Sequence, residues 1–278
     1  MRKLIASFLL LVLITTTLFA WGPKGHQIVG DIAQAHLNNA ALQGLHQLLG
    51  ADVNLAALAN WADDVKAKRP ESYGWHFVDI PKDANGFDQV RDCYRPDEKR
   101  PSTKEDHHNC VVDRINMFKL VLANKSAPRE ERIEALKYIV HFVGDIHQPL
   151  HAIAEARGGN DIHVVEFGSA QCGNHPCNLH YSWDIALLEH SGRSEQNYVA
   201  YLEQQIKAND WHGGGTPEDW ANESLKVAKK VWLPEGGALD EAYYKANIGI
   251  LDQRLALAGL RLADLLNDVF SAEEQPLN

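Results

Sequence analysis

His141-Phe-Val-Gly-Asp145-Ile-His147-Gln-Pro149-Leu-His151 is the stretch on which the fold turns. Hydrophobic spacing predicts a helix over 128–148, closed by Pro149, which disfavours helical backbone at Gln148. His141 and Asp145 stand at i and i+4 on that helix, so their side chains share one face and converge. Imidazole and carboxylate are the ligands that a borderline metal such as zinc accepts. A lone pair of this kind is more often a surface contact than a metal site. The company it keeps changes that balance. Asn178-Leu-His180-Tyr-Ser-Trp-Asp184 repeats the His-x₃-Asp spacing on another expected helix, and His151 lies just past the proline, where a helix end can aim it inward. Trp61-Ala-Asp63 and Trp75-His76-Phe77 add a carboxylate and an imidazole beside aromatic residues that would otherwise be read as core.

Working outward, the same helical rhythm runs through most of the chain. Val111, Ile115, Phe118 and Leu122 form one stripe, and Leu251, Leu255, Ala258, Leu262, Leu265 and Val269 form another. Further helices are expected over 24–37, 40–49, 54–67, 180–190, 195–208 and 217–232. Only 161–168 alternates in the manner of a strand, between Gly158-Gly159 and a cysteine loop, as a short hairpin would. Gly, Pro and polar residues concentrate at 82–106 and 209–217. No repeat, charge block or linker is visible. The expected fold is all-α, a single multi-helix domain with one short β-hairpin.

Residues 1–20 read as a secretory signal: Arg2 and Lys3, an apolar run from Leu4 to Leu13, a threonine stretch, and Ala20 at the cleavage point. The remaining 21–278 form one expected domain, with net charge moving from −10 to −12 as Arg2 and Lys3 are lost. Such acidity excludes a broad phosphate-tracking surface, so any nucleic-acid contact has to be local. Four cysteines in an exported chain suggest two disulfides. Proximity favours Cys93–Cys110 and Cys172–Cys177, although the spacing of the second pair also suits zinc. Cleavage after Ala20 would free the α-amino group of Trp21, in Trp21-Gly-Pro-Lys-Gly-His26. That nitrogen and the carbonyl oxygen of the same residue can chelate a metal in a five-membered ring.

Taken together, six ordered motifs resemble those of the trinuclear zinc single-strand nucleases, which share a helical fold with the zinc phospholipases C. The motifs are Trp-Gly-x-x-Gly-His, Trp-Ala-Asp, His-Phe-x-Asp, His-Phe-x-Gly-Asp-x-x-Gln-Pro-Leu-His, Gly-Gly-Asn and Asn-Leu-His-x-x-Trp-Asp. They run from Trp21 to Asp184; the C-terminal third fits by helicity alone. The resemblance implies three zinc ions. Asp63, His76, His141 and Asp145 would hold the first. Trp21, His26 and Asp145 would hold the second, with Asp145 bridging the two. His151, His180 and Asp184 would hold the third.

The resemblance further implies that Phe77 stacks on a base and Asp79 bonds its edge. Stacking would favour single strands, because a duplex hides its base faces. Asn160 would contact substrate, Lys66 would neutralise transition-state charge, and Asp63 would also orient the attacking water. His147 falls at a position that the family varies and is assigned no ligand role. Three zincs against three aspartates leave a centre of about +3, which is how an acidic protein can attract phosphate. The implied activity is hydrolysis of single-stranded RNA and DNA to 5′-phosphate ends, with 3′-nucleotidase activity beside it, by a monomer without stable membrane association. Zinc phospholipase C activity and a non-catalytic zinc-binding role are the rival readings.

Overall fold

The computed structural model describes residues 21–93 and 108–271. The expected signal segment 1–20, residues 94–107, which include 94–106 of the expected 82–106 loop, and 272–278 lie outside the described residues. Among the described residues seven long helices build the fold: α1 (Pro23–Ala35), α2 (Asn39–Leu49), α3 (Val111–Ala123), α4 (Arg129–His147), α5 (Glu195–Asn209), α6 (Pro217–Val231) and α7 (Glu241–Ser271). Their starts are written in the sequence. Pro23 and Pro217 open α1 and α6, where a missing N–H costs nothing. Asn38 and Ser194 cap α2 and α5 with their side chains, and Thr216 and Asp219 form a reciprocal capping box. Glu130 and Glu131 place negative charge in the first turn of α4.

Helix α4 is the axis of the fold. From Tyr138 to His147 every residue is buried, with α3 laid along it and α1, α6 and α7 packed around it. Trp21, Trp183, Tyr138, Tyr198, Phe142 and Phe270 are among the largest buried side chains. Each such burial contributes about 1.5–3 kcal/mol. A helix buried on all sides should be apolar, yet α4 carries His141, Asp145 and His147 inside it. Buried polar groups need partners, so the fold has to supply them.

The all-α class holds, and three local departures matter. The expected 54–67 helix divides into Leu55–Leu58 and Trp61–Lys66. The break leaves the Ala59 carbonyl to accept a hydrogen bond from His141 Nδ1 at 2.7 Å. Within 161–168 only β1 (Val164–Glu166) is a strand, and it pairs in parallel with the distant β4 (Gly237–Leu239). The hairpin sits further on, as β2 (Gln171–Cys172) and β3 (His175–Pro176), closed by the Cys172–Cys177 disulfide. The expected 180–190 helix contains a π turn over Ser182–Ala186, a wider winding that short-range periodicity does not reveal. Cys93 and Cys110 form the second disulfide. No helix among the described residues is long and apolar enough to cross a membrane.

Candidate metal centre

Four elements deliver the five residues of the first group. His26 comes from α1, Asp63 from the Trp61–Lys66 helix, His76 from the end of the Pro70–His76 turn, and His141 and Asp145 from α4. His76 Nδ1 lies 3.1 Å from His141 Nε2 and 3.0 Å from Asp145 Oδ2. Asp63 Oδ1 is 3.7 Å from both imidazoles, and its neighbour Asp64 is exposed. On the other side of the shared carboxylate, His26 Nε2 faces Asp145 Oδ1 at 3.3 Å, with its ring stacked on His141. That approach depends on Gly144: a Cβ there would lie 2.7 Å from His26 Nδ1. Neither ring nitrogen of His26, nor Asp145 Oδ1, has a hydrogen-bond partner, although all are buried.

The second group sits at the far end of the same stretch. His151 Nε2 and His180 Nε2 stand 3.1 Å apart, and Asp184 Oδ2 is 3.5 Å from His180 Nε2. His151 Nδ1 donates to the His76 carbonyl at 2.8 Å and His180 Nδ1 to the Gly158 carbonyl at 2.7 Å. Both Nδ1 atoms therefore carry the proton, and both Nε2 atoms present lone pairs to each other. Two lone pairs at 3.1 Å repel unless a cation lies between them. Fixing the tautomer through Nδ1–H and a carbonyl is how proteins orient imidazole ligands. The turn that offers Gly158 O is left-handed, with φ +53° at Arg157, +65° at Gly158 and +81° at Gly159. A Cβ on Gly158 would meet the Leu150 carbonyl at 2.5 Å.

Charge follows the same pattern. Burial lowers His26 and His76 to about 4 and His180 to about 3, so these rings are neutral near pH 7. Burial also pulls down His141, but the Asp145 and Asp63 carboxylates outweigh it and hold His141 above its usual value. Burial opposes ionisation of Asp145, yet the charge of His141 and the surrounding imidazoles keep it well below the carboxylate range. Asp184, desolvated and near other carboxylates, is pushed well above that range. Three sets of side chains thus lie within ligating reach of a common point: His26–His141–Asp145, Asp63–His76–His141 and His151–His180–Asp184. The donor types, the unpartnered buried atoms and the opposed lone pairs all fit a divalent metal.

The residues expected to touch substrate sit on segments that adjoin the clusters. From His76 to Ile80 burial alternates, with His76, Val78 and Ile80 inward and Phe77 and Asp79 half-buried together on the other face. Hydrogen bonds from Val78 N to His151 O (2.8 Å) and Ala154 N to Ile80 O (2.9 Å) hold this segment beside the second group. Lys66 Nζ is 2.5 Å from Asp63 Oδ1. Asn160 follows the left-handed turn and its amide donates to Arg157 O at 2.9 Å. Trp21 is fully buried, and the next residue, Gly22, donates its N–H to Asp184 O at 2.8 Å. One participant went unassigned in the sequence: Gln148, which donates to Asp184 Oδ1 and accepts from Leu150 N at 2.5 Å. Its signals were its place directly before Pro149 and within the Gln-Pro-Leu-His part of the central motif.

An all-helical scaffold that gathers buried imidazoles and carboxylates into adjoining clusters defines a protein with a candidate multinuclear metal centre. Comparison with known proteins specifies the class. Residues 21–271 match the family model described as S1/P1 Nuclease, and the chain belongs to that family. Endonuclease 2 of Arabidopsis thaliana is 32% identical, the alignment covering 90% of each chain. Endonuclease 4 of the same plant is 28% identical over 98% of this chain and 97% of its own. Nuclease P1 of Penicillium citrinum is 27% identical over 91% of this chain and 99% of its own. The protein is accordingly an enzyme of the nuclease class, a phosphodiesterase.

Proposed function

We propose that the protein is an exported, monomeric zinc-dependent endonuclease that cleaves single-stranded RNA and DNA at P–O3′, leaving 5′-phosphates, with 3′-nucleotidase activity at the same centre. The observation that carries this reading is the facing pair of His151 and His180 Nε2 atoms, lying one short turn beyond the His26–His141–Asp145 group. Three zinc ions complete the arrangement. Asp63, His76, His141 and Asp145 hold one; His26, Asp145 and the amino and carbonyl groups of Trp21, freed by removal of 1–20, hold the second; His151, His180 and Asp184 hold the third. When bound, zinc supplies Lewis acidity towards the phosphoryl oxygens and activates water.

The chain's own residues do the rest. Asp63 orients the attacking water, and Lys66, held against it, offsets charge that develops on the phosphoryl group. Phe77 gives a face for one base and Asp79 an acceptor for its edge, both on the same side of the extended segment. Asn160 bonds the substrate backbone beside the His151–His180–Asp184 group. A base has to leave its stack to meet Phe77, which favours single strands. Phospholipase C activity draws no support from the relatives, which are named as endonucleases and nucleases.

The direct test offers the purified protein a circular single-stranded DNA and its duplex counterpart, before and after chelation and zinc return. Zinc-restored linearisation of the single-stranded circle, with the duplex largely intact, is the expected result. Equal attack on both circles would remove the single-strand reading. Activity surviving complete chelation would remove the metal.

A further inference from the structure

Among the described residues the C-terminal third contributes nothing to the clusters, yet it buries two arginines against the end of α4. Arg254 and Arg261 are 3% and 6% exposed and stand two turns apart on α7. Arg254 Nε donates to the His147 carbonyl at 3.1 Å, and its terminal nitrogens donate to Glu223 at 2.9 Å and Ser224 Oγ at 2.7 Å. The Ser224 hydroxyl in turn donates a hydrogen bond to the Ile146 carbonyl at 2.5 Å. Arg261 donates to His147 Nε2 at 2.9 Å and grips both oxygens of Glu223, at 2.6 and 2.8 Å. The other nitrogen of His147, Nδ1, donates to the Val143 carbonyl at 2.7 Å.

A helix leaves its last four carbonyls without intrahelical partners. At the end of α4, Asp145 O takes the Gln148 amide, Ile146 O takes Ser224, and His147 O takes Arg254. Buried ion pairs are a poor way to gain stability, since apolar residues of similar volume serve as well or better. What guanidinium groups supply and apolar groups do not is direction. The carbonyls held at 147 by Arg254, and at 146 by the Ser224 hydroxyl to which Arg254 donates, launch the turn of four residues that ends at His151. Gln148 within that turn binds Asp184, and its carbonyl accepts from His151 N at 3.0 Å.

We propose that Arg254 and Arg261, acting through Ser224, Glu223 and His147, are positioning residues that fix how the chain leaves α4. They thereby keep the His151–His180–Asp184 group in register with the groups around Asp145. The inference rests on the metal-centre reading above. His141 and Asp145 lie within the helix and are held by its own ladder, whereas His151 is reached only through the turn. Loosening the latch therefore disturbs the His151 group first. Contacts from the 76–78 segment also pin His151, so the latch sets precision and does not act alone.

The test compares the mature wild type, from Trp21 onward, with Ser224→Ala, Arg254→Lys and Arg254→Met in the same form. It follows amide exchange at Leu150 and His151 in chelator-stripped protein, zinc bound per chain, and kcat apart from KM on a single-stranded oligonucleotide. Lysine keeps the charge but cannot serve His147 O, Glu223 and Ser224 together. Exchange at 150–151 should quicken, the weakest zinc should bind about tenfold less tightly and kcat should fall about tenfold, with KM nearly constant; tenfold is the low end for losing a ligand's hydrogen-bonding support. In Arg254→Lys thermal stability should recover further than kcat. Unchanged exchange and unchanged zinc affinity in Ser224→Ala and Arg254→Lys would overturn the proposal, whatever their melting temperatures. If Arg254→Met does not fold, those two variants decide. A wild type that cleaves no single strand would refute the nuclease reading, while exchange and zinc binding would still judge the latch.

Discussion

Asp145 is the residue on which the two halves of the first group depend. One of its oxygens faces His26 and the other faces His76 and His141. Asparagine has the same shape but no charge, and it places an NH₂ where one of the acceptors stood. Asp145→Asn should keep the fold, bind at least one zinc fewer per chain, and lose more than about 100-fold in kcat, beyond what a ligand's supporting partner is worth. Metal analysis by mass spectrometry on the folded variant checks the assignment; an undiminished zinc count would remove Asp145 from the shared position. At this scale the sequence was informative wherever a candidate ligand is a whole side chain, because the expected imidazoles and carboxylates do meet in clusters. Asp63 was separable from Asp64 only by the Trp-Ala-Asp motif, and burial now separates them physically. Backbone partners were invisible. The carbonyls of Ala59, His76 and Gly158, which set the tautomers of His141, His151 and His180, leave no trace in residue type.

At the scale of elements, α4 was legible because its two ends are marked: acidic residues after Pro128 and a proline after Gln148. The expected limits, 128–148, differ from the observed Arg129–His147 by one residue at each end. The broken helix before Asp63 and the π turn at Ser182–Ala186 were not legible, because both keep helical spacing while changing the phase of the winding. Each departure lies at the centre, where a straight helix would aim the side chains elsewhere. Parallel pairing of β1 with β4 was hidden for another reason: its partner is 73 residues away and pairing partners are not encoded locally. Close approach of α1 to α4 yields a prediction at this scale. In Gly144→Ala the added methyl meets the His26 ring at 2.7 Å and is backed by helix, so the imidazole has to move. Overpacking of this kind costs about 1–3 kcal/mol. The variant should melt at a lower temperature and bind zinc less tightly at the His26 position. Thermal unfolding with and without added zinc measures both, and wild-type affinity in a destabilised variant would separate His26 from the centre.

For the whole molecule, metal loading and protonation are linked. His26, His76 and His180, lowered to about 4, 4 and 3, are neutral near pH 7 and give up no protons when metal enters. His141 and Asp184 are raised above their usual values, so each keeps its proton to a higher pH than usual and a metal competes with that proton. The sign follows: zinc binding releases protons, and its apparent affinity rises with pH through the range in which those two groups titrate. Calorimetry in two buffers of different ionisation enthalpy should therefore give different apparent heats, whereas identical heats would contradict the charge states assigned here. The acidic balance of the chain, −10 overall, also finds its place. On the proposed reading, phosphate attraction would be confined to the centre, where the charge of three zinc ions would exceed that of its aspartates.

End-group analysis of single-stranded DNA and RNA, incubated with the mature protein with and without chelator, tests the central claim most directly. Chelator-sensitive fragments bearing 5′-phosphate and 3′-hydroxyl ends are the predicted result. Fragments with 3′-phosphates, or intact strands from protein shown to carry its zinc, would contradict it.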